Sequence, residues 1–164
     1  MTRLITTFFF VGLLRPASGT WGSAAAVAVG LILHGLGHFP LLLAATVAVI
    51  PLSFWSVARE LRDRPGEDPS EIVIDEVAGQ WIALCFPSAG FWFAGLESWN
   101  FPWPGWVSAF VLFRLFDVWK PWIIGRADRR GDPAGVVLDD LWAGIFAGIG
   151  TIILAALSHG VLMR

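Results

Sequence analysis

The segment from Phe113 to Arg130 carries the side chains best suited to chemistry. Arg114, Asp117 and Lys120 are three residues apart, so they share one helical face at the end of an apolar segment. Ionisable side chains this close to apolar sequence would be costly to expose to lipid, and they normally mark a site. The segment therefore predicts a functional cluster rather than a lipid-facing surface.

Two further apolar segments begin with pairs of carboxylates. Asp75 and Glu76 open one segment, and Asp139 and Asp140 open another. Carboxylates gathered at one end of a helical bundle, together with Asp117, would repel one another unless cations lie among them. A bound Mg²⁺, which takes carboxylates together with water and phosphate oxygens, accounts for the excess of acids. We therefore predict that all five carboxylates bind Mg²⁺ and take part in catalysis.

The mixture of acids and bases favours phosphoryl chemistry, in which catalysis depends largely on positioning and on neutralising negative charge. A cysteine phosphatase is disfavoured because Cys85 is followed six residues later by Phe91 rather than by an arginine. A histidine-dependent lipid phosphatase is disfavoured because no histidine falls at the acidic end. Attack on a phosphomonoester by metal-activated water remains, and the predicted substrate is an anionic phospholipid.

Composition places the chain among integral membrane proteins. It has 164 residues, of which 56% are hydrophobic, and a mean hydropathy of +0.69. This length favours a single domain, residues 1–164, and this hydrophobicity would be difficult to bury in a soluble core. The net charge of -2 provides no field that attracts polyanions, so we predict no nucleic-acid partner.

Five apolar segments are long enough, or nearly long enough, to cross a membrane. They predict an all-α fold, a polytopic membrane helical bundle, with a surface helix in residues 1–14 before it. The predicted segments are residues 17–33, 39–58, 71–93, 106–119 and 136–157. Gly35 and Gly37 predict a turn after the first segment, whose apolar part is short for a full crossing. We expect a polar loop at residues 64–70 and a cation-rich loop after the fourth segment.

The distribution of charge predicts which end of the bundle faces the cytoplasm. If the chain crosses five times, only Arg164 of the eleven Lys and Arg residues falls at the far end, and only Glu97 of the thirteen acids. The positive-inside rule then places the cation-rich end in the cytoplasm. The same threading brings the starts of the third and fifth segments to the end of the fourth. The carboxylates are therefore predicted to converge at the cytoplasmic face.

Each cluster also has a purely structural interpretation. Acids at a helix start interact favourably with the helix dipole, and Asp117 with Lys120 would form a structural ion pair. Arg126, Arg129 and Arg130 would serve as determinants of topology near anionic headgroups. A noncatalytic membrane protein that binds or moves an anionic lipid headgroup therefore remains an alternative. It would need the basic residues but not the surplus acids.

Four segments of the sequence together resemble one enzyme family. The segments IVIDEVAGQWIAL, FRLFDVWKPWIIGRADRR and GVVLDDLWAG, with SGTWGS near the start, resemble phosphatidylglycerophosphatase A, in matching order over nearly the whole chain. The resemblance implies an all-helical enzyme of the bacterial cytoplasmic (inner) membrane that removes the terminal phosphate of phosphatidylglycerophosphate. It also implies dependence on Mg²⁺.

The resemblance carries functional roles onto the matched positions of this chain. It implies catalysis and metal binding by Asp75, Glu76, Asp117, Asp139 and Asp140. It implies substrate binding by Thr20, Arg114, Lys120, Arg126 and Arg129. We expect Lys120 and Arg126 to hold the terminal phosphate, and Arg129 to contact the inner phosphodiester or the headgroup.

Overall fold

Helices account for the regular secondary structure of the described chain. The structure is a computed structural model that describes residues 2–63 and 69–162. Within these ranges the α-helices are α1 (Thr2–Thr6), α2 (Ser18–Glu60), α3 (Ile74–Phe93), α4 (Trp103–Trp119), α5 (Trp122–Asp128) and α6 (Pro133–Leu162). Short 3₁₀ turns lie at Val11–Leu13, Leu61–Asp63 and Ser98–Asn100. The all-α prediction is confirmed, and most of the predicted polar loop lies outside the described residues.

Helix α2 folds back on itself at Gly37 and His38. The backbone leaves the helical conformation at both residues, with His38 at φ 59°. Ser18, the first residue of α2, and Leu61, directly after its last residue, line the same cavity. A straight helix of 43 residues would separate them by roughly 65 Å at 1.5 Å per residue, so the chain must reverse. The predicted turn is confirmed, and α2 supplies two antiparallel halves.

Helices α3 and α6 run side by side and touch through glycines. A Cβ on Gly79 would fall on the carbonyl oxygen of Asp140, and a Cβ on Gly144 would fall on the carbonyl oxygen of Gly79. Further along the same contact, a Cβ on Gly148 would fall on the ring of Phe86. Because the two backbones meet, the carboxylates at the starts of both helices are held close together.

Helix α4 ends at Trp119, and a short helix follows where the sequence predicted a loop. Lys120 adopts a left-handed conformation (φ 50°, ψ 52°), which ends α4. Pro121 directly precedes α5, and the fixed φ of proline suits a helix start. The predicted cation-rich loop is therefore wrong over Trp122–Asp128. Ile124 of α5 is fully buried, and α5 packs against α6.

Several helix starts differ from the prediction because neighbouring groups hold the backbone. Helix α3 starts after the predicted residue 71, since the Val73 N–H donates to the Thr6 carbonyl at 2.8 Å. Helix α6 starts before the predicted residue 136, because Asp132 Oδ1 accepts a hydrogen bond from the Gly135 N–H at 2.7 Å. Helix α4 also starts before residue 106, with Pro104 in its first turn.

The N-terminal segment packs on the start of α3. Its only α-helix within residues 2–17 is α1, of five residues. Thr6 and Thr7 are buried, and a Cβ on Gly12 would fall on the carbonyl oxygen of Glu71. The predicted position of this segment on the membrane surface stays a prediction.

Two helices are long and apolar enough to cross a membrane within the described chain, namely Ser18–Glu60 and Pro133–His159. The outer surface also carries large apolar side chains, among them Val47, Val118 and Ile153. A surface of this kind suits lipid better than water. The protein is therefore a membrane protein, and the embedding of all five helical segments stays a prediction.

Candidate active site

The ends of four helices surround one cavity of about 430 Å³. Its walls include the start of α2, the start of α3, the end of α4 and the start of α6. All five carboxylates predicted to bind metal line it, namely Asp75, Glu76, Asp117, Asp139 and Asp140. The predicted convergence of these side chains is thus present in the fold. Their roles as metal ligands and catalytic groups stay predictions.

Asp75, Glu76 and Asp140 form the tightest group of acids. Each offers one carboxylate oxygen, and these oxygens lie within 4.8 Å of one another. Asp75 and Asp140 are only 5% and 4% exposed. Glu76 Oε2 and Asp140 Oδ1 are buried without a hydrogen-bond partner among the residues that the structure describes. A cation would satisfy both oxygens, and an all-oxygen set fits a hard divalent ion such as Mg²⁺.

The other two carboxylates are paired with cations. Arg114 Nη1 lies 2.6 Å from Asp117 Oδ2, one turn along α4. The same nitrogen donates to Ser23 Oγ at 3.3 Å, which ties the pair to α2. Lys120 Nζ donates to Asp139 Oδ2 at 2.7 Å. Asp117 therefore pairs with Arg114 rather than with Lys120, which corrects the structural ion pair considered from the sequence.

Lys120 connects three helices at the rim of the cavity. From the end of α4, its Nζ donates to Asp128 of α5 and to Asp139 of α6. Burial alone would lower the pKa of Lys120, but the hydrogen bonds to the two carboxylates outweigh burial and raise its pKa above the ordinary value. Lys120 therefore lines the cavity as a permanent cation at neutral pH.

Gly19 allows the start of α2 to approach the acids. A Cβ at this position would collide with Glu76 Oε1 and would lie 3.1 Å from Arg114 Nη1. Ser18 Oγ donates to the Ser70 carbonyl and joins this wall of the cavity to the segment before α3. Gly19 therefore lets the start of α2 lie against the ends of the Glu76 and Arg114 side chains, which a larger residue would have to displace.

Three predicted substrate-binding residues lie outside the cavity wall. Thr20, Arg126 and Arg129 are exposed and do not line the cavity. Arg114 and Lys120, the other two members of the predicted set, do line it. The roles of all five in binding substrate stay predictions.

The family resemblance also matched Asp128, without giving it a role, whereas sequence reasoning passed over Asp132; both residues line the cavity. Asp128 accepts a hydrogen bond from Lys120 across the helix break at Pro121, so helical spacing gave no signal for this contact. Asp132 pairs with Arg130, with 2.9 Å between Nη2 and Oδ2. An Asp-Pro pair before an apolar run is a helix-start signal, and it could have placed Asp132 at the mouth of α6.

Comparison with known proteins points to one family. A family model described as phosphatidylglycerophosphatase A matches residues 4–155. The chain is 32% identical to phosphatidylglycerophosphatase A of Haemophilus influenzae over 161 residues, covering 98% of this chain and 90% of that protein. It is 32% identical to phosphatidylglycerophosphatase A of Escherichia coli over 150 residues, covering 90% and 80% of the two chains.

A further relative carries a different name. It is the putative phosphatidylinositol-3-phosphatase of Bacteroides thetaiotaomicron, 34% identical over 151 residues, covering 89% of this chain and 88% of that protein. No solved structure matches the chain significantly. The family match extends over α2, α3, α4 and α6, whose ends form the cavity. The chain therefore belongs to the phosphatidylglycerophosphatase A family of phosphoric monoester hydrolases.

Proposed function

We propose that this protein hydrolyses the terminal phosphomonoester of phosphatidylglycerophosphate, releasing phosphatidylglycerol and phosphate, with Mg²⁺ as cofactor. The observation that carries the proposal is the pair of buried oxygens, Glu76 Oε2 and Asp140 Oδ1, without a partner in the described chain. A protein that only bound an anionic headgroup would have no use for them, because unpartnered carboxylates repel phosphate.

The proposed Mg²⁺ site consists of Asp75, Glu76 and Asp140, and Asp117 and Asp139 line the same cavity beside it. When bound, the ion would neutralise charge on the phosphoryl group and act as a Lewis acid towards it. The three acids have no ion pair of their own among the described residues, so they are available to an ion. Asp117 and Asp139 hold Arg114 and Lys120 in place.

The cationic side chains of the cavity bind and orient the phosphate. Lys120 offers a fixed positive charge to the phosphoryl oxygens, and this attraction is strongest where negative charge builds up in the transition state. Water attacks phosphorus, and the bond between phosphorus and the glycerol oxygen breaks. A carboxylate of the cavity accepts a proton from the attacking water and passes it to the departing glycerol oxygen.

The proposed location is the bacterial inner membrane, with five embedded segments and the cavity facing the cytoplasm. The two halves of α2, followed by α3, α4 and α6, alternate in direction, as membrane crossings do. The cavity lies at the cation-rich end of the bundle, where the positive-inside rule predicts cytoplasm. A site at this end would meet phospholipid headgroups without leaving the membrane surface.

A 3-phosphorylated inositol lipid is the second candidate substrate. The observation that favours it is the name of the Bacteroides thetaiotaomicron relative, putative phosphatidylinositol-3-phosphatase. Both lipids present a phosphomonoester on a headgroup, and the acids and Lys120 would treat the two phosphates alike. Selection between them would depend on the headgroup around the phosphate.

Phosphate release from the purified protein in detergent tests these proposals. Each lipid is supplied separately, and Asp140→Asn serves as the matched inactive variant. We expect release from phosphatidylglycerophosphate that EDTA abolishes and Mg²⁺ restores, at a higher rate than from phosphatidylinositol 3-phosphate. Phosphate release from the inositol lipid alone would show that the proposed substrate is wrong. Full phosphate release in EDTA would show that Mg²⁺ is not needed. Lipid binding with no release from either lipid would favour the noncatalytic alternative.

A further inference from the structure

Gln80 is fully buried, yet its side-chain amide has no hydrogen-bond partner. The residue is 0% exposed, and both Nε2 and Oε1 lack a partner among the residues that the structure describes. An amide buried in this way is costly, so such groups are rare unless something else satisfies them. Gln80 does not line the cavity, so the site described above does not account for it.

The contacts of α3 show which direction Gln80 faces. On one side of it in sequence, Gly79 faces α6, where it meets the backbone of Asp140. On the other side, Trp81 faces the first half of α2, where its Nε1 donates to the Ala26 carbonyl at 2.8 Å. Successive residues of a helix are turned by about 100°. Gln80 therefore faces between α6 and α2.

Two residues on the same face of α3 show what lies in that direction. Pro87, two turns further along, packs on Gly105 of α4, whose Cβ would lie 3.5 Å from the proline Cβ. Glu76, one turn before Gln80, lines the cavity. It lies against Gly19 at the start of α2, near Arg114 of α4. Gln80 thus lies one helical turn after Glu76, on the face of α3 that is directed towards α4.

The unpartnered atoms of Gln80 and Glu76 are complementary. Glu76 Oε2 is a buried acceptor without a donor, and Gln80 Nε2 carries two hydrogens without an acceptor. Residues four apart on a helix have Cβ atoms about 5–6 Å from each other, within reach of two long side chains. The two side chains do not bond each other in the structure. We propose that Gln80 is a positioning residue, whose amide turns to donate a hydrogen bond to the Glu76 carboxylate when the divalent cation binds and so holds that carboxylate against the ion.

This inference rests on the proposed Mg²⁺-dependent function and adds a residue that does not touch the substrate. A group that holds a metal ligand in place typically changes metal affinity by about 10–100-fold when it is removed. Removing the Gln80 amide should therefore raise the Mg²⁺ concentration needed for half-maximal rate by about 10–100-fold. The KM for lipid should change little, because Lys120 and its partners are untouched.

Gln80→Met is the main test, because methionine keeps the length of the side chain and removes the amide. Mg²⁺ binding is measured in the absence of lipid, by calorimetry and by the rise in Tm that the ion produces. We expect the variant to bind Mg²⁺ about 10–100-fold more weakly than wild type. Ser88→Ala is the matched control, since Ser88 is also a buried polar residue of α3 but bonds His34, away from the acids.

Wild-type Mg²⁺ affinity in Gln80→Met would overturn the inference, as would an equal loss in Ser88→Ala. Should Gln80→Met not fold, Gln80→Asn answers the same question, because its amide is one methylene group too short to reach Glu76. Failure of the proposed function would give a different result, because wild type itself would then release no phosphate, or its rate would not depend on Mg²⁺. The two failures can therefore be told apart.

Discussion

The division of the five carboxylates is the most informative feature at the scale of single residues. Asp117 and Asp139 each have a cation partner, at 2.6 and 2.7 Å. Asp75, Glu76 and Asp140 have no ion pair within the described chain, although they lie close enough to share one ion. Paired acids keep their charge balanced by the protein alone. The unpaired acids repel one another when ionised, and a bound cation would relieve that repulsion.

Neutralising an unpaired acid and neutralising a paired acid should therefore differ in their effect on the Tm of the metal-free protein. In Asp140→Asn we expect an unchanged or higher Tm without Mg²⁺, loss of the Tm rise with Mg²⁺, and a fall in kcat of at least about 10²-fold. In Asp117→Asn we expect a lower Tm without Mg²⁺, because Arg114 loses its carboxylate partner. Thermal unfolding with and without Mg²⁺ measures both.

Glu97→Gln, at the opposite end of the bundle, is the control for a general effect of losing one charge. It should leave Tm and the response to Mg²⁺ as in wild type. An Asp140→Asn variant that responds to Mg²⁺ like wild type would remove Asp140 from the metal site.

Lys120 and Arg126 should differ in their effect on activity. Lys120 lines the cavity, whereas Arg126 is exposed and outside its wall. Lys120→Ala should lower kcat/KM by at least about 10²-fold, because a cation that meets developing charge is lost. Arg126→Ala should lower it by less than about tenfold. Equal losses in steady-state phosphate release would show that Arg126 does reach the terminal phosphate, as the sequence suggested.

Contacts within one helix could be predicted from the sequence, and contacts across a chain reversal could not. Arg114 and Asp117 share a helix face through their spacing alone, whatever packs against them. The bonds from Lys120 to Asp128 and Asp139 depend on the left-handed turn at Lys120 and on the short helix after it. No periodicity encodes that arrangement. The convergence of the acids was predictable because it needs only helices that alternate in direction.

At the scale of helices, the glycine contact between α3 and α6 holds the site together. The sequence predicted both segments from their apolar runs, and it predicted the reversal of α2 from Gly35 and Gly37. It did not predict α5 or the starts of α3 and α6. Those starts depend on bonds such as Val73 N–H to the Thr6 carbonyl, which join distant parts of the chain. Local propensity carries no information on such contacts.

Gly79 and Gly90 provide a matched pair of substitutions on α3. A Cβ on Gly79 would fall on the backbone of Asp140, whereas nothing lies within 4 Å of a Cβ on Gly90. We expect Gly79→Ala to destabilise the fold by about 1–3 kcal/mol through overpacking, and to reduce activity as well. Gly90→Ala should be neutral or stabilising by up to about 1 kcal/mol, since alanine favours helix more than glycine does.

Reversible unfolding in detergent, followed by circular dichroism, measures both variants. Equal stability of the two would show that α3 and α6 can separate by a methyl group without loss. The close contact would then have no part in holding the fold together.

At the scale of the whole molecule, the alternating helices give the bundle two chemically different ends. The acidic cavity lies at one end, with Ser70 and Gly131 in its wall. At the other end, Ser98 Oγ donates to the carbonyl of Gly35 beside the reversal of α2. If the bundle spans the membrane as proposed, these two ends face different compartments.

Cysteine labelling tests this orientation in a Cys85→Ser background. Single cysteines at Ser70 and Gly131 should react with a membrane-impermeant reagent only from the cytoplasm, and a cysteine at the exposed Glu97 only from outside. Phosphate release by each variant confirms that the labelled protein is folded. Labelling of Ser70 and Gly131 from opposite sides would rule out a shared site and the mechanism with it.

The contact between Gly144 and the Gly79 carbonyl also affects which size of ion the proposed site would favour. Mg²⁺ takes oxygens at about 2.0–2.1 Å, whereas Ca²⁺ takes them at about 2.3–2.6 Å. The gap between the acids of α3 and those of α6 follows from how closely the two backbones approach, so Gly144 affects which ionic radius the proposed site favours, although it does not line the cavity. A methyl group there should widen the gap. We expect Gly144→Ala to weaken the preference for Mg²⁺ over Ca²⁺, measured as the ratio of their binding constants. Selection of the ion by its size would then depend on a glycine, because a residue without a side chain lets the two helices touch.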